Sequence, residues 1–347
     1  MKIALLNNVS RIWAIGKYAY ELHKELAKKI PVDHLYFDYE RKELRTENKK
    51  QVIAKDNSII NNKMLFLMRM QKCLPEYDIF HAANQNISFM IRNKKSVVTC
   101  HDIYPYIKPK NFLERQIRKF AYSGLQKADF VIADSENTKK DLVKHFGISE
   151  DKIKVIYLAA GKEFRKTDKS KARRVLKLSK NAKILLNIGE DIERKNTERI
   201  YKAYYEARKK NSQLMLIRVG KANRKLADVK YYENISDKEM VLLYNAADIL
   251  LIPSIYEGFG LPVLEAFACG TAVIASNTSS LPEVVGDAGL FVDPYKTEEI
   301  SNAISELSGN EKLRSELVKK GLKRAKRFTW QKCANEVLKV YRELEKK

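Results

Sequence analysis

The densest chemistry in this 347-residue chain sits in Glu257-Gly258-Phe259-Gly260-Leu261-Pro262, with Glu265 three positions further on. Two glycines let a backbone approach a ligand closely, and a proline suits the first helical position because its missing N–H has no partner to lose there. The run Asp248-Ile249-Leu250-Leu251-Ile252-Pro253 precedes the glycines and Gly270 follows, so the segment reads as strand, glycine loop and short helix with a left-handed stop. The amino end of such a helix offers unpaired N–H groups and a positive dipole end to an anion such as a diphosphate. Carboxylates grip paired hydroxyls well. Glu257 would lie beside the sugar end of that diphosphate, and Glu265, about one turn inside the helix, within reach of a ribose. The structural alternatives are that Glu257 caps the loop and Glu265 forms a salt bridge.

The pattern continues through Thr271-Ala272-Val273-Ile274-Ala275-Ser276, Ser279-Ser280-Leu281-Pro282-Glu283 and Asp293-Pro294. Over this length it resembles the family-four group of retaining glycosyltransferases, whose hallmark is an E-G-F-G-L-P-x-x-E block. The resemblance implies that Glu257 contacts the donor sugar and that Glu265 holds the ribose. It also implies that Gly258, Phe259, Gly260 and Leu261 form the donor loop, the last three giving backbone groups near sugar and phosphate. Gly189-Glu190-Asp191-Ile192-Glu193-Arg194-Lys195-Asn196 is similar to the family's G-x-x-x-x-R-K-N element. Its Arg194 and Lys195 would stabilise the charge that develops on a departing nucleotide diphosphate, Lys195 foremost. Some relatives carry arginine directly after the glycine; Glu190 stands there in this chain and is expected to point away. Tyr231 to Met240 resembles the segment that borders the nucleobase, with Ile235 touching the base through its backbone. Ser236 with Glu239 three residues on also reads as a capping box.

In the first half, Trp13-Ala14-Ile15-Gly16-Lys17-Tyr18 resembles the family's G-I-G-R-Y loop, with Ala14 in place of the first glycine. Gly16 would let backbone approach the donor diphosphate and acceptor; otherwise it is a helix-start glycine. His101-Asp102 matches the family's His-Asp, which implies a His101 facing the reacting sugar. Asp102 would orient its ring or cap the next helix. The stretch 129–134 reads mainly as scaffold, and the tail from Trp330 resembles one that crosses back onto the first domain.

These residues need elements to hold them. Short β-rich runs at 2–6, 35–38, 78–81, 96–101, 129–134 and 153–158 alternate with amphipathic stretches, and a second series follows at 183–188, 214–219, 248–252, 272–276 and 290–292. Nearly continuous Val/Ile/Leu runs are those of parallel strands covered on both faces. The fold class expected is α/β, of the GT-B type, with two doubly wound Rossmann-like parallel-sheet domains facing across a cleft. The domains are 1–162 on the acceptor side, 163–329 for the nucleotide sugar, and a helix at 330–347 packing back on the first. Ligands bind at strand carboxyl ends in such sheets, which selects Asn7, His101, Gly189, Gly220 and Glu257.

Composition sets outer bounds. Four separated cysteines, Cys73, Cys100, Cys269 and Cys333, indicate neither a zinc knuckle nor a disulfide framework, and no catalytic metal or other cofactor is expected. The same cysteine pattern makes a reducing cytoplasm the expected home, with peripheral contact at the inner face of the membrane as an extension, and no apolar run is long enough to cross a bilayer. A formal charge of +23 favours anionic partners without choosing among them. The stripe 64–74 is either core or an amphipathic membrane contact. Arg115, Arg118 and Lys119 are better candidates for anionic lipid, through charge and not insertion. The partners expected are a GDP- or UDP-linked hexose of mannose or glucose type and a glycan or lipid-linked acceptor. The rival reading is a nucleic-acid-binding protein or a DNA-directed glycosyltransferase, which lacks a basic recognition motif.

Overall fold

Apolar runs with strong β propensity and no polar face must be covered on both sides, and in the computed structural model they become the central strands of two sheets. The structure describes residues 1–11, 13–47 and 51–346. The chain divides into two compact units, Met1–Leu158 with Trp330–Lys347, and Ala159–Thr329. The first unit thus ends at Leu158, four residues before the boundary expected at 162.

The first unit holds β1 (Ile3–Asn7), β2 (Val32–Asp38), β3 (Glu43–Thr46), β4 (Gln51–Lys55), β5 (Ile79–Ala82), β6 (Ser96–Cys100), β7 (Phe130–Ala133) and β8 (Ile153–Val155). Their order is β4-β3-β2-β1-β5-β6-β7-β8, with β3 antiparallel to both neighbours. β3 and β4 escape the sequence reading because they are short and carry charged residues on half-exposed faces. In the stripe at 64–74, Phe66, Leu67 and Met70 of the helix Lys63–Gln71 join the core, while Leu65 and Met68 are exposed.

The helix Trp330–Glu345 belongs to this unit and buries Trp330, Cys333, Ala334, Val337, Leu338, Tyr341 and Leu344, a three-to-four spacing that makes one apolar face. A buried hydrogen-bonded chain ties it in. The Tyr341 hydroxyl lies 2.6 Å from His81 Nδ1, His81 Nε2 lies 2.8 Å from Thr99 Oγ1, and Thr99 Oγ1 lies 2.7 Å from the Tyr18 hydroxyl.

The second unit is a six-stranded, wholly parallel sheet in the order β11-β10-β9-β12-β13-β14. Its strands are β9 (Lys183–Ile188), β10 (Leu214–Val219), β11 (Val229–Tyr232), β12 (Ile249–Ile252), β13 (Ala272–Ser276) and β14 (Leu290–Val292). Strand order reverses between β9 and β12, so the loops leaving these two strands diverge and leave a crevice at their carboxyl ends. Those loops carry the Arg-Lys-Asn element and the glutamate-glycine block. Among the described residues no helix is long and apolar enough to cross a membrane.

Candidate active site

The glutamate-glycine block leaves β12 and enters the helix Leu261–Cys269, with Gly260 at φ 111° before it and Gly270 at φ 74° after it. Both are left-handed positions that favour glycine. Pro262 is the second helical residue, one later than expected, and still occupies a first-turn site where no N–H is missed. The loop is clamped from the segment after β13. Ser280 Oγ donates to the carbonyls of Glu257 at 2.9 Å and Phe259 at 2.8 Å, while Ser279 Oγ accepts the Glu257 N–H at 3.0 Å.

Glu257 is buried, and its two oxygens meet the two cations of the other loop: Lys195 Nζ at 2.7 Å and Arg194 Nη1 at 3.4 Å. Burial works against the carboxylate, but Lys195 and Arg194 outweigh it and hold the Glu257 carboxyl below the usual glutamate range. The lysine reaches this position because Gly189, at φ 143°, leaves room for its stem; an added Cβ would lie 3.1 Å from Lys195 Cδ. Asn196 Nδ2 binds the carbonyls of Pro253 at 2.9 Å and Pro294 at 2.6 Å, and Ile255 N–H donates to the Arg194 carbonyl at 2.8 Å. The two loops are therefore one hydrogen-bonded unit. Glu190 is exposed and makes no ion pair among the described residues.

Sequence reasoning missed the residue that shapes this loop. Arg218 lies mid-strand in β10, fully buried. Its Nη1 donates to Asn187 Oδ1 at 2.6 Å and Thr197 Oγ1 at 3.0 Å, and its Nη2 to the Gly189 carbonyl at 3.1 Å and Asp191 Oδ1 at 2.5 Å. One guanidinium thus fastens both ends and the middle of the segment that carries Arg194 and Lys195. An arginine inside the otherwise apolar Leu-Met-Leu-Ile-Arg-Val run was the available signal.

Glu265, half-buried one turn into the donor helix, accepts a 2.7 Å hydrogen bond from the buried Tyr244 hydroxyl. Tyr244 belongs to the helix Asp237–Ala246, whose start realises the capping box: the side chain of Ser236 accepts from Glu239 N–H, and Glu239 Oε2 accepts from Ser236 N–H at 2.8 Å. That settles the use of the Ser236 side chain. Ile235, partly exposed, lies between it and Asn234, which is left-handed at φ 54°.

In the first unit, Gly16 is the third residue of the helix Ala14–Leu26. A Cβ there would collide with the carbonyls of Val9 and Ser10, so the helix lies directly on the turn after β1. That turn, Gly16, Trp13, Tyr20 and Tyr36 help line a cavity of about 730 Å³ at the carboxyl ends of β1 and β2. Tyr18 of the same helix meets the His101 ring edge-on at 4.9 Å.

His101 follows β6 and is buried, with Nδ1 2.5 Å from Asp134 Oδ2 and Nε2 2.9 Å from the Ala83 carbonyl. Each ring nitrogen faces an oxygen, so both hydrogens of a protonated ring would find partners here. Burial opposes that charge, yet Asp134 outweighs it and raises the His101 pKa above the ordinary histidine value. Asp134, expected to be scaffold, is the residue that orients the ring. The register Cys100↔Ala133 between β6 and β7 places the two residues beyond it side by side. Asp102 instead caps the next turn, accepting the Tyr104 N–H at 3.0 Å.

Two doubly wound units, the second bearing a glutamate-clamped Arg-Lys pair beside a glycine-led helix, define a glycosyltransferase of the GT-B class. The model of the glycosyl transferases group 1 matches residues 168–324, and that of glycosyltransferase family 4 matches 15–160. The chain belongs to the group 1 glycosyltransferase family. It is 27% identical to O-antigen chain mannosyltransferase B of Escherichia coli over 94% of this chain and 95% of that protein. In fold it is similar to sucrose-phosphate synthase from Thermosynechococcus elongatus, at 22% identity and a TM-score of 0.80 over 99% of each chain. It is likewise similar to Anabaena Alr3699/HepE in complex with UDP-glucose, at 18% identity and a TM-score of 0.76, over 99% of this chain and 100% of that one. These relatives lend no support to the nucleic-acid reading.

Proposed function

We propose that the protein transfers a hexose from a nucleotide-diphosphate sugar to a hydroxyl of a glycan or lipid-linked acceptor, with retention at the anomeric carbon. The observation that carries this reading is the cluster of Lys195, Arg194 and Glu257 at the switch point of the second sheet, next to the amino end of the donor helix. In the resting site the Glu257 carboxylate pairs with both cations and offsets one of their two charges. An arriving diphosphate offers them a second anionic partner, and Lys195 and Arg194 turn to the bridging and leaving oxygens as negative charge grows there. Glu257 is then available to the sugar hydroxyls, and the donor helix dipole adds to the stabilisation without a catalytic metal or other cofactor. Glu265, held by Tyr244, takes the ribose; Gly258, Phe259, Gly260 and Leu261 present backbone to sugar and phosphate; Ile235 borders the base.

The first unit supplies the acceptor side. His101, its ring oriented by Asp134, is assigned to orient a sugar hydroxyl, and the acceptor's proton passes to the departing phosphate during same-face attack. The cavity beside Gly16 carries aromatic rings and charged groups suited to a carbohydrate acceptor. Mannose is the first donor to test, since the Escherichia coli relative is named a mannosyltransferase. The experiment is nucleotide release from a panel of GDP-, UDP- and ADP-sugars, with and without membrane lipid extract. Release dependent on acceptor extract with one donor supports the reading, and no release from any of them refutes it.

The reading extends to the inner face of an anionic membrane. On the helix Phe112–Ala121 the side chains of Phe112, Leu113, Ile117 and Phe120 are all exposed, Phe112 at 77%, and they share an arc of about 140°. Arg115 and Lys119 lie along one edge of that arc, while Arg118 is tied to Glu114 and Asn86. The apolar arc adds shallow insertion to the charge attraction that sequence alone suggested. Leu113→Glu is expected to lower binding to vesicles containing anionic lipid by about tenfold or more while leaving turnover of a soluble acceptor intact. Unchanged vesicle binding would remove this helix from the account.

A further inference from the structure

The second unit has a cavity of about 510 Å³ that the reaction does not use. Lys183 opens β9, Asp248 immediately precedes β12 and Gly270 precedes β13, so the cavity lies at the amino ends of the central strands. The donor loops lie at the carboxyl ends. Gly270 also closes the donor helix, whose nine residues span about 14 Å, so the two places are opposite ends of one helix.

Seven cations line this cavity against two carboxylates, Asp248 and Glu311. Asp248 is already spent. Its Oδ1 accepts from Lys169 at 2.6 Å, and its Oδ2 accepts from Arg173 at 2.7 Å and from the Ile184 N–H at 2.7 Å. The side chains of Lys166, Lys180, Lys183 and Lys319 have no hydrogen-bond or ion-pair partner among the described residues. Arg314, which is 9% exposed, uses only Nη1, toward the carbonyls of Leu307 and Ser308. Its Nε and Nη2 have no protein partner among the described residues, and the side chain forms part of the wall. Burial, with the guanidiniums of Arg173 and Arg314, holds the Lys169 ammonium below the usual lysine range in spite of Asp248. Like charges gathered within a Debye length repel, and a multiply charged anion converts that repulsion into attraction.

We infer that this cavity is a binding site for a compact, multiply charged phosphate compound, distinct from the donor site at the other end of the helix Leu261–Cys269. Arg314 supplies the fixed, forked donor, and the four lysines close over the anion from the rim. The hydroxyls of Ser170 and Ser315 complete the polar wall. No aromatic ring lines the cavity, so nothing stacks a nucleobase, and the phosphate groups themselves are the recognised feature.

The test counts inorganic pyrophosphate sites by calorimetry at fixed ionic strength. Wild type is expected to bind at two sites, one in this cavity and one at Lys195. Lys180→Glu with Lys319→Glu should lose one, Lys195→Ala should lose the other, and the combined variant should lose both. The cavity result does not depend on the donor assignment. If that assignment fails, Lys195→Ala loses no site while the Lys180→Glu, Lys319→Glu pair still does. Both rim lysines are exposed, so the fold tolerates the changes and turnover without pyrophosphate should match wild type. A second arm uses vesicles containing phosphatidic acid, with Leu113→Glu present throughout so that the helix Phe112–Ala121 does not itself hold the protein to the vesicle. Capture lost in the same rim variant, in a protein whose cavity does not bind pyrophosphate, assigns the phosphate to a lipid headgroup. Two results overturn the proposal: the rim variant keeps every pyrophosphate and vesicle interaction, or the control pair Lys202→Glu, Lys210→Glu on an unrelated helix weakens binding equally, which would mark general attraction to a basic surface.

Discussion

Arg218→Met takes away the one cation at the centre of the loop that presents Arg194 and Lys195. The guanidinium is fully buried and makes four hydrogen bonds, to Asn187, Thr197, Gly189 and Asp191. Methionine fills much of the volume but donates nothing, and among the described residues it leaves Asp191 with only the Asn223 N–H at 2.8 Å for its carboxylate. Removing one member of a buried ion pair typically costs about 3–5 kcal/mol, a large part of the stability of an ordinary domain. Both tryptophans, Trp13 and Trp330, lie in the other unit, so their fluorescence does not report this loss. Hydrogen exchange does: amides of 189–197 should lose protection first, and guanidinium unfolding followed by circular dichroism should show the second unit melting earlier. Adding Asp191→Asn removes the stranded charge, so the double variant should be more stable than the sum of the single losses implies, by about 1–3 kcal/mol. Additive losses, or a cost for Arg218→Met below about 1 kcal/mol, would refute the role given to this arginine.

Three further outcomes follow from the same geometry. Tyr244→Phe removes the hydrogen bond to Glu265 and should raise donor KM about tenfold or more with kcat nearly unchanged, since hydrogen bonds to charged groups are worth about 1.5–3 kcal/mol; an unchanged KM would separate Glu265 from donor binding. His34 and His81 have pKa values lowered from 6.5 to about 3 by burial, so the unfolded chain takes up protons first and stability falls as pH drops below 6.5. At pH 5 each contributes a loss of about 2 kcal/mol, which tryptophan fluorescence should read directly in the first unit; equal stability at pH 7 and pH 5 would contradict it. His101 has the opposite sign: its raised pKa gives a contribution complete below 6.5 and lost as pH climbs through the raised value. Asp134→Asn should shift that loss to lower pH, as seen by NMR titration of the ring.

The parallel strands and the donor block were legible because their signals are local. Buried strands such as Ile249–Ile252 are unbroken runs of Ile and Leu, and the Gly260 and Gly270 positions follow from the left-handed backbone on either side of one helix. β11, like β3 and β4, was hidden because these short strands at the sheet margins keep polar residues on partly exposed faces. The partners that hold the site were hidden for another reason. Asp134 meets His101 through the register of β6 on β7, Tyr244 meets Glu265 through the packing of two helices, and Ser280 meets the donor loop across 23 residues of sequence. No spacing along the chain encodes such meetings. Mid-strand Arg218 was an exception, visible as a misfit and not as a role.

The central claim is that Lys195, clamped by Glu257 in the resting site, passes to the donor diphosphate in the transition state. Steady-state kinetics of Lys195→Met with the cognate nucleotide sugar, on protein shown to be folded, tests it most directly. A loss of about 100-fold or more in kcat is predicted, the scale of one fixed donor to a developing anion. Wild-type kcat in that folded variant would contradict it.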